Sequence, residues 1–186
     1  LISFPCSFNS LCEEIWKQAQ QKGINLTFIS LGGGMPIKHI KDIPTIEEIG
    51  EVVNKALQKN FKSAEGLRIT IEPGRGLVGD TAILGSTVVG KAKRGTENWV
   101  YIDVGVFNGL METIENFQYE LKTGTNSKKK LVTIGGPSCD SVDIPFKNIR
   151  LPEVELGDRV YILNAGAYTT VYAANFNGFE IPKVHF

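Results

Sequence analysis

The spacing of apolar positions divides the chain into two textures. From Ser10 to Gln21 apolar side chains fall at Leu11, Ile15, Trp16 and Ala19, the spacing of one helix face. Gly23 stands where a helix C-cap belongs. Ile24 to Leu31 is a short run rich in Ile, Leu and Phe that predicts a buried strand, and Gly32-Gly33-Gly34 breaks it. Thr45 and Glu48 have capping-box spacing ahead of a second helix, which runs to Lys59 with Ile46, Ile49, Val53 and Leu57 on one face. Leu67 to Glu72 predicts the next strand, closed by Glu72-Pro73-Gly74-Arg75-Gly76. Helix, strand, helix, strand implies parallel strands in a layered or barrel α/β unit.

After Gly76 the pattern changes. Ala82 to Lys91, Trp99 to Val104, Lys130 to Ile134 and Arg159 to Asn164 are β-branched or aromatic runs punctuated by Gly and Asp, with no long amphipathic helix between them. They predict a mostly antiparallel β domain. The boundary is expected near residues 77 to 82, giving an α/β unit over 1–79 and a β domain over 80–186.

Composition narrows the function classes. The chain has 186 residues, 42% of them hydrophobic, enough for a core. Its 20 basic residues balance 20 acidic ones, which argues against a nucleic-acid or anionic-membrane partner. Lys128-Lys129-Lys130 is expected to be a solvated loop. The longest apolar run falls short of the roughly 18 residues of a membrane span, and the opening residues lack a secretory pattern. Three cysteines without CxxC spacing and two isolated histidines predict neither a disulfide framework nor a metal site. A reducing, cytoplasmic setting is expected.

Four segments carry candidate chemistry. Gly32 to Gly34 directly follow a strand, so backbone N–H groups can close on an anion such as a phosphate; a plain strand-to-helix turn reads equally well. Glu72 and Arg75 lie past the end of the next parallel strand, where ligand sites of such folds gather. They suit a ligand cationic at one end and anionic at the other, or form a structural pair around a turn. In Gly136-Pro-Ser-Cys139-Asp140-Ser-Val-Asp143 a cysteine stands beside two aspartates. Cys139 is either a proton donor or a quiet small thiol. Last, Tyr168 follows a strand and Phe176 opens Phe-Asn-Gly-Phe179, offering a phosphate donor and a pocket wall, or simple aromatic packing.

The order of these segments is more specific than any one of them. LGGGMP, EPGRGLVGDTA, VYIDVGVFNG, GGPSCDSVD, LGDRVYILNAGAYT and FNGF together resemble the fold-III pyridoxal-phosphate-dependent decarboxylases of ornithine, lysine, arginine and diaminopimelate, from Ile24 to Phe179. The resemblance implies the C-terminal part of a cofactor-binding (β/α) barrel followed by the decarboxylase sheet domain. It implies pyridoxal 5'-phosphate as cofactor, with Gly32, Gly33, Gly34, Arg75 and Tyr168 at the phosphate and Glu72 on the pyridine nitrogen. Cys139 would protonate the carbon that loses CO2, and Asp140 would hold the distal ammonium of a basic amino-acid substrate, both acting across a homodimer interface to complete the partner's site.

Particular letters bear on the substrate. Diaminopimelate enzymes usually show Cys-Glu-Ser where Cys139-Asp140-Ser141 stands, and Arg-Pro-x-x-Tyr where Glu112 to Asn116 stands. The chain is therefore placed on the ornithine (or lysine) side, making a diamine for polyamine synthesis. A second substrate-binding acid of the family corresponds to Asn116 here, so Glu115 or Glu112 is expected to replace it, with Phe176 beside the substrate. The family's imine-forming lysine belongs upstream of Leu1, which predicts that these 186 residues alone are inactive. Pro5 stands where the family has a cofactor-stacking His. These departures keep open a non-catalytic homologue that regulates by binding decarboxylases or antizyme-like proteins; diaminopimelate decarboxylation is the remaining alternative.

Overall fold

The computed structural model describes residues 6–61 and 66–186, the first five of them through the backbone alone. Pro5, and with it the expected loss of the stacking His, lies outside the described residues. The chain forms two compact units, Leu1–Pro36 with Asp42–Pro73, and Ile37–Lys41 with Gly74–Phe186. The sequence boundary near 77 to 82 lies within the second unit.

In the first unit, helix α1 (Cys6–Gln21) begins earlier than Ser10 and leads through Gly23, at φ +69°, to strand β1 (Phe28–Ser30). Helix α2 (Ile46–Phe61) is followed by strand β2 (Arg68–Thr70). The capping box forms as its spacing requires. The Thr45 N–H donates to Glu48 Oε2 at 2.8 Å, and the Glu48 N–H to Thr45 Oγ1 at 3.2 Å. The helices meet where the Trp16 and Phe61 rings pack edge to face, centroids 5.3 Å apart. Of the apolar faces read from the sequence, Trp16, Ala19 and Ile49 are buried, whereas Leu11, Ile15 and Ile46 are exposed.

β1 and β2 pair in parallel, Phe28 opposite Arg68 and Ser30 opposite Thr70. The buried strand expected over residues 24 to 31 is only three residues long and is half-exposed, with Phe28 open, as is Ile69 on the neighbouring β2. Among the described residues each strand pairs only with the other, so no further strand covers its second edge.

In the second unit, the four-residue helix α3 (Arg75–Val78) precedes strands β3 (Leu84–Arg94), β4 (Glu97–Ile102), β5 (Leu121–Thr123), β6 (Lys129–Gly135), β7 (Phe146–Pro152) and β8 (Arg159–Ile162). They form one sheet in the order β5-β8-β3-β4-β6-β7. Every pairing is antiparallel except β4 with β6. The triple-lysine run corrects its expectation: Lys129 and Lys130 open β6 rather than a loop, exposed, with Lys130 paired to Glu153 at 2.6 Å. Val88, Val100, Ile102, Ile134, Leu151, Val160 and Ile162, from the inward positions of five strands, fill the core together with Leu110 from the segment after β4. Among the described residues no helix is long and apolar enough to cross a membrane.

Candidate functional site

In the first unit, the parallel register brings the C-terminal ends of β1 and β2 side by side, and the predicted phosphate and ring-binding residues follow directly. Gly32 and Gly34 adopt φ of +72° and +85°, backbone that L side chains rarely take. A Cβ on Gly33 would stand 2.6 Å from the Glu72 carbonyl oxygen, so only glycine lets this turn lie against residue 72. The Glu72 N–H closes the contact by donating to the Gly32 carbonyl at 2.8 Å. Glu72 is exposed, and its Oε1 accepts the Ser30 hydroxyl at 2.5 Å, while Ser30 Oγ accepts the Gly32 N–H at 3.1 Å. The glycine turn is thus tied to the carboxylate through one hydroxyl. The sequence reading missed Ser30; its sole signal is a hydroxyl at the end of a strand, two residues before glycine.

In the second unit, Arg75 enters a half-buried ionic cluster. Its Nη2 lies 2.5 Å from Glu112 Oε1, with both side chains less than a fifth exposed. Its guanidinium lies 4.3 Å from the Phe117 ring centroid and 5.0 Å from that of Tyr168. The Tyr119 hydroxyl donates to the other oxygen of Glu112 at 3.2 Å. Burial, with the Glu112 carboxylate beside it, pushes the Tyr119 hydroxyl well above its ordinary value and keeps it a donor. Arg75 Nη1 is buried without an acceptor among the described residues. Glu112, one of the two expected substitutes for the second substrate acid, therefore has both oxygens engaged. Glu115 is exposed at the end of a 3-10 turn, Met111–Glu115, and Asn116 closes that turn at φ +62°.

His39 joins this cluster from the Ile37–Lys41 segment, its ring edge-on to Phe117 at 4.7 Å and to Tyr119 at 5.5 Å. Both ring nitrogens are buried without a partner among the described residues. Burial, then the nearby Arg75 charge, lower its pKa against the opposing pull of Glu112. The folded state thus favours neutral His39, whereas the unfolded chain takes up a proton below about pH 6.5. The stability this supplies is full above that pH and is lost as the pH falls toward the depressed folded value. We predict a melting temperature that declines between about pH 7 and pH 5, with a shallower decline in His39→Phe; parallel profiles would contradict the assignment.

Cys139 and Asp140 sit on the loop between β6 and β7, Cys139 exposed and Asp140 half-buried. Asp140 Oδ1 accepts the Val142 N–H at 2.8 Å. Buried Asp143 holds the loop from below, its carboxylate accepting the Val106 N–H, the Ser138 N–H and the Ser138 hydroxyl. From the C-terminal side, Asn177 Nδ2 donates to the Ser138 carbonyl at 2.8 Å. Asn177 and Gly178 both take left-handed φ in the Phe176–Phe179 turn, and Phe176 stacks on Phe107 at 4.2 Å. Among the described residues six non-glycines have positive φ. Four are asparagine, which tolerates it; the other two are Cys139 and Tyr168. Such residues cost on the order of 1–3 kcal/mol each and cluster at functional sites. A Cβ on Gly74 would lie 2.9 Å from the Tyr168 hydroxyl, so glycine gives that hydroxyl its place.

The chain is similar to known proteins in sequence and in fold. A profile described as "Pyridoxal-dependent decarboxylase, C-terminal sheet domain" matches residues 10–166. The chain is 32% identical over 181 residues to the lysine/ornithine decarboxylase of Selenomonas ruminantium, covering 95% of this chain and 45% of that protein. It is 30% identical over 165 residues to the diaminopimelate decarboxylase of Archaeoglobus fulgidus, covering 86% and 39%. The solved structure of SrLDC in complex with PLP and cadaverine superposes with a TM-score of 0.79 at 30% identity, covering 94% of this chain and 46% of that one. The chain spans less than half the length of these relatives.

Proposed function

Because the chain belongs to the pyridoxal-dependent family of ornithine, diaminopimelate and arginine decarboxylases, we propose that the protein carrying it decarboxylates a basic L-amino acid, ornithine or lysine, to the diamine and CO2. The observation that carries this reading is the Ser30–Glu72 contact beside the glycine turn at the ends of two parallel strands. The cofactor of the family is pyridoxal phosphate, which when bound supplies an electron sink for the carbon that loses CO2.

The residues present fit such a group. Gly32 and Gly34 have backbone that only glycine adopts readily, and Arg75 Nη1 is a buried donor without an acceptor among the described residues. In this reading Gly32, Gly33 and Gly34 offer backbone N–H groups to the phosphate, and Arg75 and the Tyr168 hydroxyl donate to it. Glu72, with one oxygen taken by Ser30, keeps its second for the ring nitrogen and holds a proton there. Cys139 delivers a proton from the exposed side of its loop, and Asp140 pairs with the substrate's distal ammonium. Glu115, exposed near Asn116, is the free acid of that segment, and Phe176 on Phe107 walls the aliphatic part of the substrate. Cys139 and Asp140 act across a homodimer, in a cytoplasmic enzyme of polyamine synthesis. Residues 1–79 are then the C-terminal part of an α/β barrel and residues 80–186 the decarboxylase sheet domain.

Substrate preference rests on Asp140, since an aspartate matches a single distal ammonium. Full-length protein, supplied with pyridoxal phosphate, is expected to release CO2 from ornithine or lysine faster than from arginine or diaminopimelate. Absence of both cofactor binding and CO2 release would sink the proposal. Cys139→Ala is expected to lower turnover about a hundredfold while leaving cofactor absorbance in place. Wild-type turnover by that variant would remove Cys139 from the proton transfer.

A further inference from the structure

Glu112 lies outside the residues that the proposed chemistry uses, yet it is the most fully engaged acid of the Arg75 cluster. One of its oxygens is 2.5 Å from Arg75 Nη2 and the other accepts the buried Tyr119 hydroxyl at 3.2 Å. A carboxylate held at both oxygens cannot turn toward a substrate ammonium without leaving Tyr119 or Arg75 unpaired. What it does hold is the guanidinium. With Nη2 pinned by Glu112 and the plane packed against Phe117 and Tyr168, Arg75 keeps one orientation. In that orientation Nη1 is buried and without an acceptor among the described residues. A desolvated guanidinium N–H has a strong demand for an anionic oxygen.

We propose that Glu112, itself anchored by Tyr119, is a positioning residue that fixes Arg75 so that its free Nη1 meets an anionic oxygen, the cofactor phosphate. This rests on the assignment of Arg75 to the phosphate made above. It also separates the two acids of the segment: Glu112 serves the arginine, which leaves Glu115 as the acid available to substrate.

The test is made in the full-length protein, with pyridoxal phosphate and pyridoxal as the two probes, each titrated by its absorbance. Glu112→Gln keeps the shape and removes the charge. Its dissociation constant for pyridoxal phosphate is expected to rise about tenfold, with pyridoxal affinity unchanged, because pyridoxal carries no phosphate for Arg75 to meet. Glu112→Asp should lie between wild type and Glu112→Gln. Tyr119→Phe, which keeps the buried ring and loses only the hydroxyl, should shift the same preference in the same direction by a smaller factor. If these variants retain the wild-type preference for pyridoxal phosphate over pyridoxal, whether by unchanged or by equally weakened binding, the positioning role is wrong. Tighter binding of pyridoxal phosphate by Glu112→Gln would show a competing carboxylate and would also overturn it. A wild-type protein that binds neither probe would overturn the proposed function and this inference with it.

Discussion

Replacing Glu72 with glutamine is expected to lower turnover of ornithine or lysine by about two to three orders of magnitude while leaving pyridoxal phosphate bound. The expectation follows from what a carboxylate does at this position that an amide cannot. Glu72 follows β2, and its Oε1 is fixed by the Ser30 hydroxyl at 2.5 Å. A negative charge opposite the ring nitrogen favours the protonated ring by direct pairing, and only the protonated ring accepts electrons well. Glutamine still accepts the Ser30 hydroxyl through its amide oxygen and fills the same space, so the glycine turn should stay intact. The loss should therefore appear in kcat rather than in cofactor affinity. Ser30→Ala tests the same geometry more gently, because it frees one oxygen of Glu72 without removing the charge. A Glu72→Gln enzyme with wild-type kcat would mean that the ring is protonated by another group.

How far the fold was legible depended on where each strand lies in the sheet. β3, β4, β6 and β8 occupy the interior of the order β5-β8-β3-β4-β6-β7, and their β-branched runs show plainly in the sequence. β5 and β7 are its edges, and neither shows in the sequence pattern. β5 is three residues with a lysine in the middle; β7 carries Lys147, Asn148, Arg150 and Pro152. Edge strands carry charge and proline because an open edge must resist further pairing, so the composition that protects them also hides them. The parallel pairing of β4 with β6 has no local signature and could not be read at all.

At the site, the residue types were legible and their partners were not. The glycine turn, Glu72, Arg75, Cys139 and Tyr168 were all singled out from local composition. The contacts that orient them span 42 residues for Ser30 to Glu72, 37 for Arg75 to Glu112 and 39 for Asn177 to Ser138. Periodicity is a property of neighbours along the chain and carries no information at that range. The pairing of Arg75 with Glu112 illustrates the consequence. Spacing alone offers Glu72 as a partner around the turn, whereas Glu72 is taken up by Ser30 and the arginine by Glu112, which the sequence offers as a substrate ligand.

The second large effect concerns stability. Asp143→Ala is expected to cost about 3–5 kcal/mol, which for a domain of this size lowers the melting temperature by roughly 6–20 °C. Asp143 is 4% exposed and accepts three hydrogen bonds, from the Val106 N–H at 2.8 Å, the Ser138 N–H at 2.9 Å and the Ser138 hydroxyl at 2.6 Å. A Cβ on Gly105 or on Gly136 would collide with the carboxylate, so both glycines are needed for it to fit. Alanine would leave two backbone N–H groups and a hydroxyl buried without an acceptor, and a gap where the carboxylate had been. Asparagine keeps one acceptor but turns an amide N–H toward one of the donors, so Asp143→Asn should fall between. Asp140 supplies the contrast three residues away. Among the described residues its carboxylate meets only the Val142 N–H, from a half-buried position, and Asp140→Asn should cost about 1 kcal/mol or less. Thermal unfolding of the three variants in the full-length protein measures the difference. If Asp143→Ala melts within about 2 °C of wild type, the carboxylate is not what holds the loop. If it melts as expected, the strained backbone of Cys139 at φ +56° is maintained by Asp143 from below and by Asn177 from the other side. Turnover in Asp143→Ala should then fall further than the folded fraction alone requires, because the thiol loses its bearing before the sheet comes apart.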